Sequence, residues 1–271
     1  MGPAAFRPRT PRRKRFGQHF LHDPAVIQRI VAAISPGPHD RLVEIGPGRG
    51  ALTRRLLAAG APGMDAIEID RDLAALLQSQ FAPGEQLRLH TADALEFDFA
   101  ALALQYGTRL RIVGNLPYNI STPLLFHLLA QSGAIQDLHI MLQREVVARM
   151  AAVAGGEDYG RLTVMLAPWC RVERLFDVGP GAFQPPPRVW SAVVRLTMLP
   201  EPAFPLSEHY GKVVSAAFAQ RRKTLRNSLR ELLSPADIES AGLDPAARPE
   251  TLPPEAFNAL ARKIVRLAPG A

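Results

Sequence analysis

Short apolar segments alternate with segments of helical periodicity between residues 42 and 142, and this alternation limits the fold more than any other feature. The apolar segments contain few polar residues, which is typical of strands buried on both faces of a sheet. Because a helical segment separates each strand from the next, neighbouring strands are expected to run parallel with helices on both faces. The sequence therefore predicts an α/β fold with strands at Leu42–Ile45, Asp65–Ile69, Leu87–His90, Leu110–Val113 and Leu138–Leu142 and helices at Ala51–Ala59, Arg71–Phe81, Phe99–Tyr106 and Pro123–Gln131.

The flanking regions predict further elements. Asp23 and Pro24 form a helix start, with an N-cap followed by proline at the first helical position. Two apolar runs, Leu162–Cys170 and Ala192–Thr197, are predicted to pair as antiparallel strands at one edge of the sheet. Beyond the proline-rich segment Leu199–Pro205 we find only helical patterns, over residues 207–220, 222–233, 235–241 and 254–267. These boundaries predict a flexible tail over residues 1–15, an α/β domain over 16–199 and a small C-terminal all-helical domain over 206–271.

Charge and composition limit the partners. The net charge is +7 and the sequence pI is about 10.1, which favours polyanionic partners. Two clusters of basic residues favour nucleic acid over other polyanions as the binding partner. Their members are Arg7, Arg9, Arg12, Arg13, Lys14 and Arg15 in the tail, and Arg221, Arg222, Lys223, Arg226 and Arg230 near the start of the helical domain.

The apolar segments and the cysteine content of the sequence indicate the cellular compartment and the kinds of metal site that are excluded. No apolar run approaches the length needed to cross a membrane, and no apolar signal core follows the basic N-terminus. The single cysteine, Cys170, excludes an intramolecular disulfide and a cysteine-rich metal site. We therefore expect a cytoplasmic protein without a membrane anchor or metal, and we expect a monomer.

Four polar or glycine positions follow predicted strands. In an open parallel sheet, ligands bind outside the carboxyl ends of the strands. Those ends are expected at Gly46, Glu68, Asp93 and Asn115. A glycine lets the backbone approach a ligand closely, Glu68 could accept hydrogen bonds from ribose hydroxyls, and Asp93 could accept one from an adenine amino group. The four positions together predict a nucleoside cofactor.

Two kinds of nucleoside cofactor compete for such a site. The turn Gly46–Gly50 reads Gly-Pro-Gly-Arg-Gly and lacks the third spaced glycine of the dinucleotide fingerprint. Nearby acids at Glu44, Glu68 and Asp93 disfavour a pyrophosphate but tolerate a cationic sulfonium. S-adenosylmethionine therefore fits better than a nicotinamide dinucleotide.

The segment Asn115-Leu116-Pro117-Tyr118 follows the fourth predicted strand. An asparagine carbonyl can accept a hydrogen bond from an exocyclic amine, and a tyrosine face can stack on the ring that bears it. The segment is thus a candidate clamp for a flat, amine-bearing ring. The alternative is a polar turn after a strand, and the four residues alone do not decide between the two.

Several longer motifs extend this pattern across nearly the whole chain. They read RKRFGQHFL at Arg13–Leu21, VEIGPGRG at Val43–Gly50, AIEID at Ala66–Asp70, GNLPYNISTP at Gly114–Pro123, FQPPPRVWS at Phe183–Ser191 and AFAQRRKTLRNS at Ala217–Ser228. Together they resemble the rRNA adenine dimethyltransferase family, and within it the small-subunit branch. The resemblance implies a Rossmann-like, S-adenosylmethionine-dependent methyltransferase domain.

The resemblance also implies roles for individual residues. The cofactor-binding positions are His19, where the family often has asparagine, and Leu21, Gly46, Glu68, Asp93 and Asn115. The target base is expected to meet Asn115, Leu116, Pro117 and Tyr118, with Phe183 as a second stacking face. The alternative for Phe183 is a core aromatic beside a proline turn.

The implied reaction is dimethylation of N6 on two adjacent adenosines near the 3′ end of 16S rRNA, in a late small-subunit assembly particle. The implied RNA contacts are Arg12, Arg13, Lys14, Arg221, Arg222, Lys223 and Arg226. Three alternatives stay open at this point. They are a large-subunit rRNA methyltransferase of the antibiotic-resistance type, an assembly factor that acts mainly by binding, and a nicotinamide-dependent dehydrogenase.

Overall fold

The computed structural model describes residues 19–81, 86–118, 120–220 and 222–264. The predicted basic tail, Arg221 and the last seven positions of the chain, 265–271, lie outside the described residues. Within the described part, the strands are β1 (Phe20–Leu21), β2 (Leu42–Ile45), β3 (Met64–Glu68), β4 (Leu87–Thr91), β5 (Leu110–Asn115), β6 (Ile135–Gln143), β7 (Cys170–Val178), β8 (Phe183–Gln184) and β9 (Ser191–Met198). The α-helices are α1 (Pro24–Ile34), α2 (Ala51–Ala58), α3 (Arg71–Gln80), α4 (Phe99–Tyr106), α5 (Ser121–Ala130), α6 (Arg144–Met150), α7 (Arg161–Leu166), α8 (Tyr210–Ala217), α9 (Leu225–Ser228), α10 (Pro235–Ser240) and α11 (Pro254–Ala261).

The main sheet has seven strands among the described residues, in the order β4-β3-β2-β5-β6-β9-β7. Strands β4 to β6 are parallel, whereas β9 and β7 are antiparallel to their neighbours. The parallel order reverses direction at β2, which places the first glycine turn in the crevice where ligands of such sheets bind. The predicted α/β fold with an antiparallel edge is confirmed.

One predicted strand is wrong. Residues Arg161–Leu166, at the start of the predicted strand Leu162–Cys170, form helix α7, and the edge strand is β7. A short apolar run does not distinguish a buried strand from a buried helix, and α7 is buried between α6 and α8. Strand β7 carries exposed Arg171, Glu173 and Arg174, as is common for strands at the edge of a sheet. Because these charged residues interrupt the apolar run, the sequence pattern did not predict a strand here.

Glycine 114 lets β5 approach β2 closely. A Cβ atom built on Gly114 would lie 2.5 Å from the backbone oxygen of Ile45, far inside van der Waals contact. The next residues along the two strands are Gly46 and Asn115. The missing side chain therefore brings the two predicted functional turns together.

Two apolar clusters cover the faces of the sheet, and a third lies in the helical region. Helices α4 and α5 contribute Phe99 and Leu124 to one face, while α1 and α2 contribute Ile30 and Leu56 to the other. The third cluster joins α8, α9, α10 and α11 with Tyr159 and Val164. It therefore includes residues that precede the predicted linker.

The C-terminal helices are shorter than predicted. The predicted helix over residues 222–233 is helical only at Leu225–Ser228, and the one over 254–267 is described as helix only at Pro254–Ala261. Apolar periodicity marks the buried positions, but turns of three or four residues share that spacing. The Tyr159 hydroxyl donates a hydrogen bond to the Leu252 carbonyl at 2.7 Å, and the Tyr210 hydroxyl donates one to Val164 at 2.8 Å. These bonds fasten the helical region to the segment around α7.

Candidate active site

A cavity of about 360 Å³ opens at the carboxyl ends of β2, β3 and β5. It brings together the predicted site residues of the sheet rim and of the N-terminal strand. Its lining includes His19, Leu21, Gly46, Glu68, Asp93, Asn115, Leu116, Pro117 and Tyr118. Phe183 does not belong to this lining.

The glycine turn after β2 forms one wall. Gly48 has φ of +58°, and a Cβ atom there would lie 3.1 Å from the ring of Phe20. The guanidinium of Arg49 covers that ring, 4.6 Å from its centroid. The turn thus packs against β1, so the cavity is bounded on this side by a strand that comes from the N-terminus.

Glu68 is held at the end of β3 by backbone donors. It is 3% exposed, and its two carboxylate oxygens accept from the amides of Gly48 at 3.1 Å and Asp70 at 3.0 Å. Burial raises the pKa of Glu68, although these two hydrogen bonds act in the opposite direction. The carboxylate is thereby oriented and retains lone pairs for ligand hydroxyls.

A second buried acid, Glu44, lines the same cavity from β2. It is 2% exposed and accepts a hydrogen bond from the Thr53 hydroxyl at 2.6 Å. Burial, with a smaller contribution from the charge of Glu68, raises the pKa of Glu44 to about 7. The pairing with Thr53 was not predicted, because nothing in a helical sequence marks which threonine faces a buried acid.

The acids decide which cofactor fits. Asp93, whose Oδ1 accepts from the amide of Leu95 at 2.9 Å, completes a group of three carboxylates along the lining. Among the described residues, no Lys or Arg is paired with Glu44, Glu68 or Asp93. A cationic nucleoside without phosphate suits this lining, whereas a pyrophosphate would be repelled. The residues present therefore fit S-adenosylmethionine.

Asn115 ends β5 with an oriented side chain. Its Nδ2 donates a hydrogen bond to the backbone carbonyl of His19 at 3.0 Å. That bond uses a donor of the amide and leaves Oδ1 as an acceptor for a ligand amine. Position 19 thus acts on Asn115 through its backbone, while the His19 ring donates from Nδ1 to the Pro185 carbonyl at 2.7 Å.

The next residues extend the arrangement. Leu116 is buried and its amide donates to the Met141 carbonyl at 3.2 Å. The hydroxyl of Tyr118 hydrogen-bonds to Ser191 Oγ at 2.8 Å, and its ring centroid lies 6.0 Å from that of His19. Ser191 ends the motif FQPPPRVWS, but no role was predicted for it, because nothing in the local sequence indicates a distant tyrosine as its partner. The tyrosine ring is therefore fixed at one end and lines the cavity.

Phe183 is not at the cavity, and here the expected second stacking face is not found. The residue is 2% exposed and belongs to β8, where it pairs with Leu21 of β1. Because β1 and β8 pair in this register, the ring packs into the apolar cluster beneath α1. This agrees with the alternative of a core aromatic, and Phe183 supports the strand that carries His19 and Leu21.

The basic cluster of the helical region is partly described. Arg222, Lys223 and Arg226 are exposed, and Arg222 has a positive φ of 70°. Arg12, Arg13, Lys14 and Arg221 lie outside the described residues. Within the described chain, no group of His, Cys, Asp or Glu has the arrangement of a metal site, and no helix is long and apolar enough to span a bilayer.

Sequence and structure comparisons place the chain among rRNA-modifying enzymes. A family model described as ribosomal RNA adenine dimethylase matches residues 9–265. The ribosomal RNA small subunit methyltransferase A of Pseudomonas aeruginosa is 56% identical over 257 residues, covering 94% of this chain and 95% of that protein. The protein of the same name from Nitrosococcus oceani is 57% identical over 252 residues, covering 92% and 95%.

Two solved structures have the same fold over most of their length. The 23S rRNA methyltransferase ErmE is 28% identical with a TM-score of 0.68, covering 90% of this chain and 99% of that one. A dimethyladenosine transferase from Plasmodium falciparum is 24% identical with a TM-score of 0.75, covering 89% and 96%. The predicted family and enzyme class are confirmed: this chain belongs to the ribosomal RNA adenine dimethylase family and is an rRNA adenine methyltransferase.

Proposed function

We propose that this protein dimethylates N6 of two adjacent adenosines near the 3′ end of 16S rRNA, using S-adenosylmethionine, in a late small-subunit assembly particle. The observation that carries the proposal is the side chain of Asn115, which is tied to His19 through Nδ2 and presents an acceptor beside the acidic cavity. Relatives that are 56–57% identical and bear the small-subunit name support the choice of substrate.

The cofactor site is assigned to the rim residues. Gly46 allows close backbone approach, Glu68 accepts from ribose hydroxyls, and Asp93 accepts from the adenine amine. His19 and Leu21 cover the site from β1, and Asn115 lies where cofactor and target meet. When bound, S-adenosylmethionine supplies an electrophilic methyl group on a cationic sulfur.

Asn115 and Leu116 are proposed to activate the target amine. The N6 amine of adenine is a poor nucleophile because its lone pair is delocalised into the ring. Hydrogen bonds from N6–H to Asn115 Oδ1 and to the Leu116 carbonyl would draw the nitrogen toward tetrahedral geometry, with Pro117 restricting the direction of that carbonyl. The nitrogen lone pair would then form the new N–C bond while the bond between the methyl carbon and sulfur breaks. The electron pair of that bond would return to the sulfur, and the surplus proton would leave the nitrogen for solvent afterwards. Positioning supplies most of the rate.

Tyr118 is proposed to stack on the extruded adenine. Extrusion costs a few kcal/mol, and stacking on an aromatic side chain offsets about 1–3 kcal/mol of it. The hydrogen bond to Ser191 holds the ring in place before the base arrives. With Phe183 buried, the described cavity is lined by the aromatic rings of Tyr118 and Phe20, and the Phe20 ring is covered by Arg49.

RNA contacts are assigned to the basic residues. Exposed Arg222, Lys223 and Arg226, together with Arg12, Arg13, Lys14 and Arg221, would neutralise phosphates and make affinity fall steeply with salt. The cytoplasm is the matching compartment, and a monomer suffices for the site as described. Charge reversal of Arg222 and Lys223 should therefore flatten the dependence of particle binding on salt.

The large-subunit alternative is less well supported. The 23S rRNA methyltransferase is 28% identical, against 56–57% for the small-subunit relatives. An assembly factor that only binds RNA would not need the oriented amide of Asn115 beside three acids.

The test is methyl transfer from radiolabelled S-adenosylmethionine to small subunits that lack the modification, with large subunits as the control and the modified bases mapped. Label should appear only in small subunits, on two adjacent adenosines. Asn115→Ala should still bind cofactor but transfer methyl about a hundredfold or more slowly, which is the size of effect seen when one transition-state hydrogen bond is removed. Labelling of large subunits, or near-normal turnover by Asn115→Ala, would reject the assignment.

A further inference from the structure

Trp190 is exposed next to the active site. It is 49% exposed, whereas Trp169 is partly buried against the core of the sheet. A single exposed apolar side chain is ordinary on a protein surface and needs no explanation by itself. The position of Trp190 and the groups around it are what distinguish it from Leu104 and Val153, which are also exposed.

Trp190 directly precedes the serine that hydrogen-bonds to Tyr118, the residue proposed to stack on the target base. Ser191, its chain neighbour, hydrogen-bonds to the Tyr118 hydroxyl at 2.8 Å. Ser191 pairs with Gln143 at the carboxyl end of β6, so Trp190 lies on the same rim of the sheet as the cavity. Trp190 does not line the cavity itself. It therefore lies outside the pocket, beside the residue that fixes one of its walls.

The indole is supported by its surroundings. The amide of Arg144 donates to the Trp190 carbonyl at 2.9 Å, which fixes the backbone. A Cβ atom built on Gly179 would lie 3.6 Å from the indole ring, so the ring rests against a glycine that leaves room for it. An indole with a fixed backbone and one supported edge loses little freedom when a flat ligand stacks on it.

One guanidinium group lies over the ring, and two further arginines are exposed nearby in sequence to Trp190 or Arg144. The Arg144 guanidinium is 5.9 Å from the ring centroid, and Arg188 and Arg149 are exposed nearby in the chain. Glu145 is an exposed acid of the same helix as Arg144, so the surface is not uniformly basic. An exposed aromatic ring next to guanidinium groups is the combination that binds single-stranded nucleic acid, since bases stack on the ring and phosphates meet the cations.

We propose that Trp190 stacks on a nucleobase next to the target adenosine in the same RNA strand, with Arg144 at the adjoining phosphate. This inference rests on the proposed function. When the target base is extruded toward Tyr118, its neighbour loses a stacking partner. Trp190 replaces that partner outside the cavity, so it contributes to RNA binding and not to the methyl-transfer step.

Steady-state kinetics separate these two contributions. Initial rates are measured against the concentration of unmodified small subunits for Trp190→Ala and Trp190→Phe, with Leu104→Ala as a control at an exposed apolar position. We expect Trp190→Ala to raise the KM for the particle about tenfold, with kcat and the KM for S-adenosylmethionine unchanged. Trp190→Phe should restore most of the affinity. An unchanged KM in Trp190→Ala, or an equal defect in Trp190→Phe, would overturn the proposal.

Fluorescence supplies a readout that does not depend on activity. In Trp169→Phe protein, Trp190 is the remaining tryptophan, since the chain has two. Titration with a single-stranded oligoadenylate should quench its emission, and Arg144→Ala should weaken that titration. Absence of quenching at saturating oligonucleotide would reject stacking. If wild-type protein leaves small subunits unmethylated but the quenching is seen, the substrate assignment fails while the nucleobase platform stands.

Discussion

Buried carboxylates have different partners at the two ends of the parallel sheet, an arginine at the amino end and neutral hydrogen-bond donors at the carboxyl end. At the amino end, Asp137 lies in a network in which Arg111 binds both its oxygens and also reaches Asp40 and the Ile34 carbonyl. At the carboxyl end, Glu44 and Glu68 have neutral donors as partners. One end pairs its charges within the fold, and the other leaves negative charge for a ligand to match.

The pKa values follow this division. Burial acts to raise the pKa of Asp137, but hydrogen bonds from His139 and Arg111 and their charges lower it overall. Burial raises the pKa of Glu44 and of Glu68, and in the described part of the chain no cation compensates. A cationic cofactor would supply the compensation that Arg111 supplies at the other end.

The largest effect is expected from breaking the paired end. Arg111→Ala leaves buried Asp137 and partly buried Asp40 without their cation, which should lower the free energy of unfolding by about 3–5 kcal/mol. Urea denaturation measures the loss. The control is Arg171→Ala, an exposed arginine on β7, which should change stability by less than about 0.5 kcal/mol. Similar losses in the free energy of unfolding for Arg111→Ala and Arg171→Ala would show that the charge pairing at the amino end does not stabilise the fold.

A substitution at the carboxyl end of the sheet should change cofactor affinity more than it changes the free energy of unfolding. Glu68→Gln removes the charge that is proposed to meet the ribose and the cation, so the Kd for S-adenosylmethionine should rise about tenfold to a hundredfold. The free energy of unfolding should change by less than about 2 kcal/mol, because removal of a buried charge offsets the loss of one of the two backbone hydrogen bonds to the side chain. Calorimetric titration and urea denaturation provide the two measurements, with exposed Glu157→Gln as the control. A large loss of stability with unchanged affinity would assign Glu68 to the fold.

A smaller effect depends on pH. The pKa of Glu44 is raised from 4.5 to about 7, so its protonated form is favoured in the folded state. Its contribution to stability is complete below about pH 4.5 and is lost as the pH rises through about 7. Glu44→Gln stays neutral and should be about 2 kcal/mol more stable than wild type at about pH 8, with a smaller difference at about pH 5. Equal stability of the two proteins at both pH values would contradict this.

The smallest effect concerns the neutral pair of Tyr118 and Ser191. Tyr118→Phe retains the stacking ring but loses one hydrogen bond, so kcat/KM should fall only a few-fold, equivalent to about 1 kcal/mol. Tyr118→Ala removes the ring and should lower kcat/KM much further. Comparing the two variants measures how much of the contribution comes from the ring. Equal losses would show that the hydroxyl, and not stacking, matters.

The rim of the site was predictable from sequence because each buried parallel strand is an apolar run that ends at a polar residue or glycine. The apolar runs stop at Gly46, Glu68 and Asn115, and sheet geometry then brings those positions together. What could not be predicted depends on contacts distant in sequence. Phe183 turns inward because β8 pairs with β1, and Thr53 is a partner of Glu44 because α2 packs beneath the turn. The helix α7 has the same composition as a buried strand, so local pattern alone could not identify it.

The contact of Gly114 with Ile45 has a consequence for how the chain tolerates change. Even a methyl group at position 114 would wedge β5 away from β2, because the obstacle is backbone and cannot rotate aside. Gly46 and Asn115 are the next residues on those two strands, so the wedge would separate the proposed donor side of the reaction from its acceptor side. The absence of a side chain at Gly114 therefore sets the distance between the proposed cofactor side and the proposed target side of the site.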